Sequence, residues 1–183
     1  MTSIFSLINK KVETVRIKDE LLDLKSLKLS VLRLDLIHPV ASGNKIFKLS
    51  YFIDEAQKTG ASLLTFGGAY SNHLTASAWV CREMNLSSIG IVRGERPARL
   101  SHTLQFCLSM GMDLQFISRE KYKLINEPAF ISELRKNYGD FVLVPEGGSS
   151  ATGVRGASQI LEYLPLEKFT HLCLSIGTGT TMA

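Results

Sequence analysis

Leu63-Leu64-Thr65-Phe66-Gly67-Gly68-Ala69-Tyr70-Ser71-Asn72-His73 is a short, mostly apolar run that breaks into two glycines and restarts on helix-start residues. Such a run reads as a buried strand over 63–66, of the kind found in parallel sheets covered by helices. The helix after it is expected from about 71 to 84, with Leu74, Ala78 and Cys81 on one face. Before it, Asn44 is a suitable N-cap, Ile46, Leu49, Phe52, Ile53 and Ala56 recur at helical spacing, and Gly60 closes a helix.

Moving outward, the alternation continues. Strands are expected at 31–36 (stopped by Pro39), 88–93, 114–117, 141–144 and 172–176. Helices are expected at 100–110, ended by Gly111, at 151–163, and in the stretch up to 138, where Pro128 marks a break or a new start. Short apolar strands alternating with helices make an α/β protein with mostly parallel sheets. No internal repeat or low-complexity segment interrupts it. The last strand runs into a Gly/Thr turn, and the chain reaches Ala183 where another helix should begin, so it reads as truncated after that turn.

Composition excludes several classes. At 183 residues, 45% hydrophobic and 21% charged, the chain has the balance of an ordinary globular domain. The net charge of +4 is mild, and Lys10, Lys11, Arg16, Lys18, Arg93, Arg96 and Arg99 are scattered, which suits a solvated surface and no nucleic-acid partner. Cys81, Cys107 and Cys173 are widely spaced with no CxxC, against a metal site and a disulfide framework and in favour of a reducing cytoplasm. Residues 1–11 lack a leader's cleavage pattern, and no stretch approaches the ~18–20 apolar residues of a membrane span.

The chemistry-bearing residues sit at the turns. Lys45 and Lys48 fall three apart on the first turn of the helix expected after Asn44, on nearly the same side. Lysine is the side chain that bonds a carbonyl carbon, and it must be partly deprotonated to do so. Lysines are also ordinary surface residues, but positive charge opposes the dipole at a helix start, and that asks for an explanation. The Gly67-Gly68 turn frees backbone at the carboxyl end of a parallel strand, where open α/β sheets bind ligands. Ser71 and Asn72 can cap the helix, serve a ligand, or both. Gly177-Thr178-Gly179-Thr180-Thr181 has the makings of a phosphate cup. It is neither a Walker loop nor a dinucleotide fingerprint, since Met182 stands where a third glycine would be needed. Gly147-Gly148-Ser149-Ser150 with Gly153 is a further loop, readable as a site or a plain connection. His73 reads as capping or packing rather than catalytic, and no GxSxG elbow supports hydrolysis through Ser71. A reactive amine with two anion-friendly turns points to chemistry on a phosphorylated aldehyde.

Together these segments resemble one family. Gly43-Asn44-Lys45-Ile46-Phe47-Lys48-Leu49 is similar to the GNKxRKL motif of the 1-aminocyclopropane-1-carboxylate deaminase and D-cysteine desulfhydrase family. Gly67 to His73 resembles its GGxQSNH segment, Pro145-Glu146-Gly147-Gly148-Ser149-Ser150 with Gly153 its PxGGSNxxG stretch, and Gly177 to Thr181 its phosphate loop. The shared order and spacing is more specific than any one motif. Phe47 replaces the usual arginine and Tyr70 the usual glutamine.

The resemblance implies a three-layer αβα fold of the tryptophan synthase β-like type. Residues 1–47 and 163–183 would belong to an incomplete large cofactor domain, and 48–162 to a smaller α/β domain. The cofactor implied is pyridoxal 5'-phosphate, bonded through Lys45. Lys48, Gly177, Thr178, Gly179, Thr180 and Thr181 would hold its phosphate, Asn72 its ring hydroxyl, and Ser71 would help place the substrate. The substrate would be a small amino acid, 1-aminocyclopropane-1-carboxylate or one like D-cysteine, giving a 2-oxo acid and ammonia. The freed Lys45 amine would act as acid and base. The complete protein is expected as a homodimer with no membrane partner, and the 183-residue chain alone as inactive. The rival expectation is a non-catalytic phospholigand-binding α/β domain.

Overall fold

The computed structural model describes residues 3–8 and 12–183. The expectation about a leader in residues 1–11 lies partly outside them. Among the described residues no helix is long and apolar enough to cross a membrane.

After a 3-10 turn at Ile4–Leu7 comes a small antiparallel pair, β1 (Thr14–Ile17) and β2 (Leu29–Leu32), joined through the short helix α1 (Glu20–Leu24). The strand expected at 31–36 therefore lies earlier and stops at Leu32. The Arg33 guanidinium turns onto the Asp35 carboxylate at 2.7 Å, and the Leu34 carbonyl accepts from the Gly43 N–H at 2.8 Å. Those local bonds bend residues 34–36 into a 3-10 turn. β1 was not anticipated, because all four of its residues are exposed and carry no buried period.

α2 (Lys45–Thr59) follows, closed by Gly60 at φ 69°, whose N–H reaches the Ala56 carbonyl at 2.9 Å. The main sheet holds β3 (Ser62–Gly67), β4 (Ser88–Arg93), β5 (Asp113–Ile117) and β6 (Phe141–Val144), all parallel, in the order β5-β4-β3-β6. Between them run α3 (Asn72–Glu83), α4 (His102–Ser109), the one-turn α5 (Arg119–Tyr122) and α6 (Pro128–Tyr138), and α7 (Ala151–Ser158) comes last. Pro128 opens α6, where a missing N–H costs nothing.

Alternate residues of each strand feed opposite cores. Leu63, Val142 and Val144 pack with α2 and α3, while Leu74, Val92 and Leu104 extend that face toward α4. Leu64, Phe66, Ile89, Ile91 and Phe141 pack on the other face against Tyr122, Ile125, Phe130 and Leu134. The result is three layers, helix on sheet on helix. It explains why β3 reads as continuously apolar: five of its six residues are buried.

Two further expectations need correction. The helix expected at 151–163 ends as α-helix at Ser158, and Gln159–Tyr163 winds tighter as a 3-10 turn. That winding puts Ile160 into the core beneath α2. The strand expected at 172–176 does not form. Leu172, Leu174 and Ile176 are 54%, 39% and 61% exposed. A strand exists through its ladder, and among the described residues no neighbour offers one.

Candidate functional site

The sheet order reverses between β3 and β6, since the crossovers from β3 run one way and β6 lies on the other side. Ligands of open α/β sheets bind outside the carboxyl ends at such a switch point. α2 precedes β3 and runs back against it, so its first turn emerges at this same edge. There the loop after β6 and the tail beyond residue 173 meet Lys45 and Lys48 around a cavity of about 300 Å³.

The lysines define its charge. Lys48 is only 3% exposed, and its ammonium reaches the Gly147 carbonyl at 3.5 Å. Burial, and then the charge of Lys45, pushes its pKa down to about 8. Lys45 donates to Asn44 Oδ1 at 2.9 Å, and burial lowers its pKa too. Neither forms an ion pair among the described residues. Two cations thus stand beside one cavity without a counter-charge, so the site is short of an anion.

Asn44 does more than the sequence suggested. It has no side-chain capping bond. Its amide instead holds Lys45 through Oδ1 and donates through Nδ2 to Thr181 Oγ1 at 2.6 Å, joining α2 to the tail. The sign of this second role was its place directly before the lysine, which a capping reading hid.

The tail presents backbone. A Cβ at Gly177 or Gly179 would meet no atom within 4 Å, so both glycines edge open cavity. Thr178 and Thr181 line it as well, and Thr178 Oγ1 lies 2.8 Å from Thr180 Oγ1. Thr180 is buried at 4% exposure and faces Gly153 rather than the cavity, so its hydroxyl acts through Thr178. Gly148, at φ 71°, brings its backbone against Lys48: a Cβ there would lie 3.3 Å from the lysine Cβ.

Behind the lysines lies His73, 3% exposed. Thr65 gives its single hydroxyl proton to the Val144 carbonyl at 2.9 Å, so it accepts from His73 Nε2–H, also at 2.9 Å. Nδ1 is then a bare acceptor, buried and unpartnered. Burial, followed by the charges of Lys45 and Lys48, drives the imidazole pKa down to about 3 and keeps it neutral. The packing role expected from the sequence is where the structure puts it.

Lys45, Lys48, Gly177, Thr178, Gly179 and Thr181 are thus brought together, whereas Ser71 and Asn72 do not line the cavity. Ser71 caps α3, accepting from the Leu74 N–H at 3.2 Å, and Asn72 is exposed beside it. Tyr70, 73% exposed, lines a different pocket.

No family model matches the chain. A Thermotoga maritima protein that bears the name 1-aminocyclopropane-1-carboxylate deaminase is 36% identical over 161 residues, 84% of this chain and 51% of that protein. A mitochondrial Arabidopsis thaliana protein, named bifunctional D-cysteine desulfhydrase/1-aminocyclopropane-1-carboxylate deaminase, is 32% identical over 161 residues, 78% of this chain and 40% of its own length. Among solved structures, an ACC deaminase homologue superposes with a TM-score of 0.75 at 21% identity, covering 100% of this chain and 60% of that one. O-ureido-L-serine synthase gives 0.63 at 16% identity, over 100% and 57%. The chain spans about half the length of the curated relatives it matches.

Proposed function

We propose a function from one premise: the chain belongs to the 1-aminocyclopropane-1-carboxylate deaminase and D-cysteine desulfhydrase family, and it covers about half of its relatives. Its fold is the tryptophan synthase β-like αβα architecture of fold type II pyridoxal-phosphate enzymes. On this reading the complete protein is a pyridoxal-phosphate-dependent deaminase or lyase. It acts on a small amino acid, 1-aminocyclopropane-1-carboxylate or one like D-cysteine, and yields a 2-oxo acid and ammonia.

The observation that carries the proposal is the pair of uncompensated lysines beside an open glycine-threonine loop. Such a site fits a ligand with an aldehyde at one end and a phosphate at the other. Bound here, the cofactor supplies a carbonyl for an amine to bond and an electron sink for carbanion chemistry.

The chain's own residues divide the remaining work. Lys45, whose pKa is lowered by burial, keeps part of its amine free to attack, and Asn44 Oδ1 orients it. The same Nζ would hold and move a proton on the substrate. Lys48 answers the phosphate; an anion beside it restores the proton that burial discourages. Gly177 and Gly179 offer N–H groups, with the hydroxyls of Thr178 and Thr181 beside them. Neutral His73 closes the floor behind the lysines without adding a third positive charge. Ser71 and Asn72 keep the substrate and ring-hydroxyl roles proposed for them, acting from the start of α3.

A homodimer is part of the proposal for the complete protein. A cytoplasmic setting is too, in keeping with free thiols at Cys81, Cys107 and Cys173. A domain that only binds a phospholigand would have no use for an amine with a lowered pKa at Lys45.

The test is borohydride reduction in the presence of pyridoxal phosphate, followed by peptide mapping. Label on Lys45, lost in Lys45→Ala, supports the reading; label that survives Lys45→Ala sinks it. Release of 2-oxo acid from D-cysteine and from 1-aminocyclopropane-1-carboxylate by a full-length protein then separates the two substrates.

A further inference from the structure

A second pocket, about 560 Å³, opens at the carboxyl ends of β3, β4 and β5 and shares no lining residue with the lysine cavity. It goes beyond the function proposed above and does not depend on it. Three cations line it: Arg93 ends β4, Arg119 opens α5, and Lys123 follows α5. None of the three forms an ion pair among the described residues.

Between them stands Tyr122, 5% exposed. Its ring is clamped edge-on by Phe66, with centroids 6.4 Å apart, and covered by the Arg93 guanidinium at 5.5 Å. Its hydroxyl is buried and has no well-formed hydrogen bond among the described residues. Burial first, and then the nearby Glu146 carboxylate, drives the phenol pKa far up, so the hydroxyl keeps its proton as a donor. The Glu146 carboxylate acts on this phenol both by its charge and as a hydrogen-bond acceptor. The Gly67-Gly68 turn leads into this pocket: a Cβ on Gly68 would lie 3.7 Å from Arg93 Nη2, and Ala69 and Tyr70 continue the wall. Tyr70, one of the two residues that depart from the family motifs, lines this pocket.

We propose that this pocket binds a small dianion, a phosphate or dicarboxylate held among Arg93, Arg119 and Lys123, with the Tyr122 hydroxyl donating to it. Guanidinium forks match such groups in geometry as well as charge, and an anion held among them would compete with Glu146 for the proton of the Tyr122 hydroxyl. The amino acids proposed above as substrates carry a single carboxylate, so a dianion here is a separate effector.

The experiment is an amide NMR titration of the 183-residue chain with inorganic phosphate and with succinate at constant ionic strength. Saturable shifts are expected at Gly68, Ala69 and Arg93. Arg119→Gln should weaken them about tenfold, Lys123→Gln or Tyr122→Phe roughly threefold, and Lys58→Gln, a cation elsewhere, not at all. The amides of Gly177 and Gly179 report the other cavity in the same spectra, so the two readings fail separately. The proposal is overturned if Gly68, Ala69 and Arg93 do not move, or if all pocket variants titrate like the parent. Phosphate binding more tightly than succinate identifies a phosphate effector; the reverse order identifies a dicarboxylate.

Discussion

The turn at 67–72 and the turn at 177–181 are both glycine-rich and both follow an apolar run, yet they have different physical standing. The first hangs between β3, paired on both sides, and α3, capped by Ser71. The second follows residues that are exposed and pair with nothing described. Its ties to the rest are single side-chain contacts: Asn44 to Thr181, and Thr180 tucked toward Gly153. The lesson is that a turn sequence supplies backbone freedom, while neighbours decide how much free energy depends on it.

Substitutions in the two regions should separate sharply. Leu64→Ala, in a side chain with no exposure, is expected to cost about 3 kcal/mol by urea denaturation, and Ile176→Ala, 61% exposed, less than about 0.5 kcal/mol. Comparable losses would mean that 172–176 is packed after all. Gly153→Ala places a methyl 1.9 Å from the Gly148 carbonyl and should cost about 2 kcal/mol, whereas Gly177→Ala meets open space and should change stability little. Ser71→Ala removes the cap of α3 and is expected to cost about 1 kcal/mol, with Ser71→Thr retaining most of it.

A pH dependence tests the lysine cavity itself. Folded Lys48 has its pKa near 8 against the ordinary 10.5, so between those values the folded chain binds fewer protons than the unfolded one. Stability should therefore climb as pH rises from about 8 to about 10.5, and Lys48→Met should flatten the climb. A phosphate-bearing ligand in the cavity should shrink it as well. A profile that falls with pH and loses its slope in Lys48→Met would show that the ammonium already has a partner.

The parallel sheet was legible because burial on both faces leaves a plain mark in Leu63-Leu64-Thr65-Phe66 and in Phe141-Val142-Leu143-Val144. The lysine pair was legible because helical spacing places Lys45 and Lys48 on one side. What escaped had no periodic mark. β1 is exposed throughout, and Asn44 acts through a residue far along the chain, Thr181. Arg93 and Tyr122 lie on separate elements that only the sheet order brings together. The strand expected at 172–176 had the right composition, but composition cannot supply a partner for the ladder.

Gly156 has no atom to offer a ligand. A methyl there would stand 2.2 Å from the Phe47 carbonyl and 3.2 Å from Lys48 Cα, so α7 and α2 touch backbone to backbone just beneath the amines. The tolerance on where those amines sit is thus set by two rigid main chains, with no soft side chain between them to absorb error. A misplacement of about 1 Å at a reacting group can cost on the order of a hundredfold in rate. A single added carbon at 156 would therefore register as a defect of aim: both lysines still present, and their cavity reshaped from a position that does not line it.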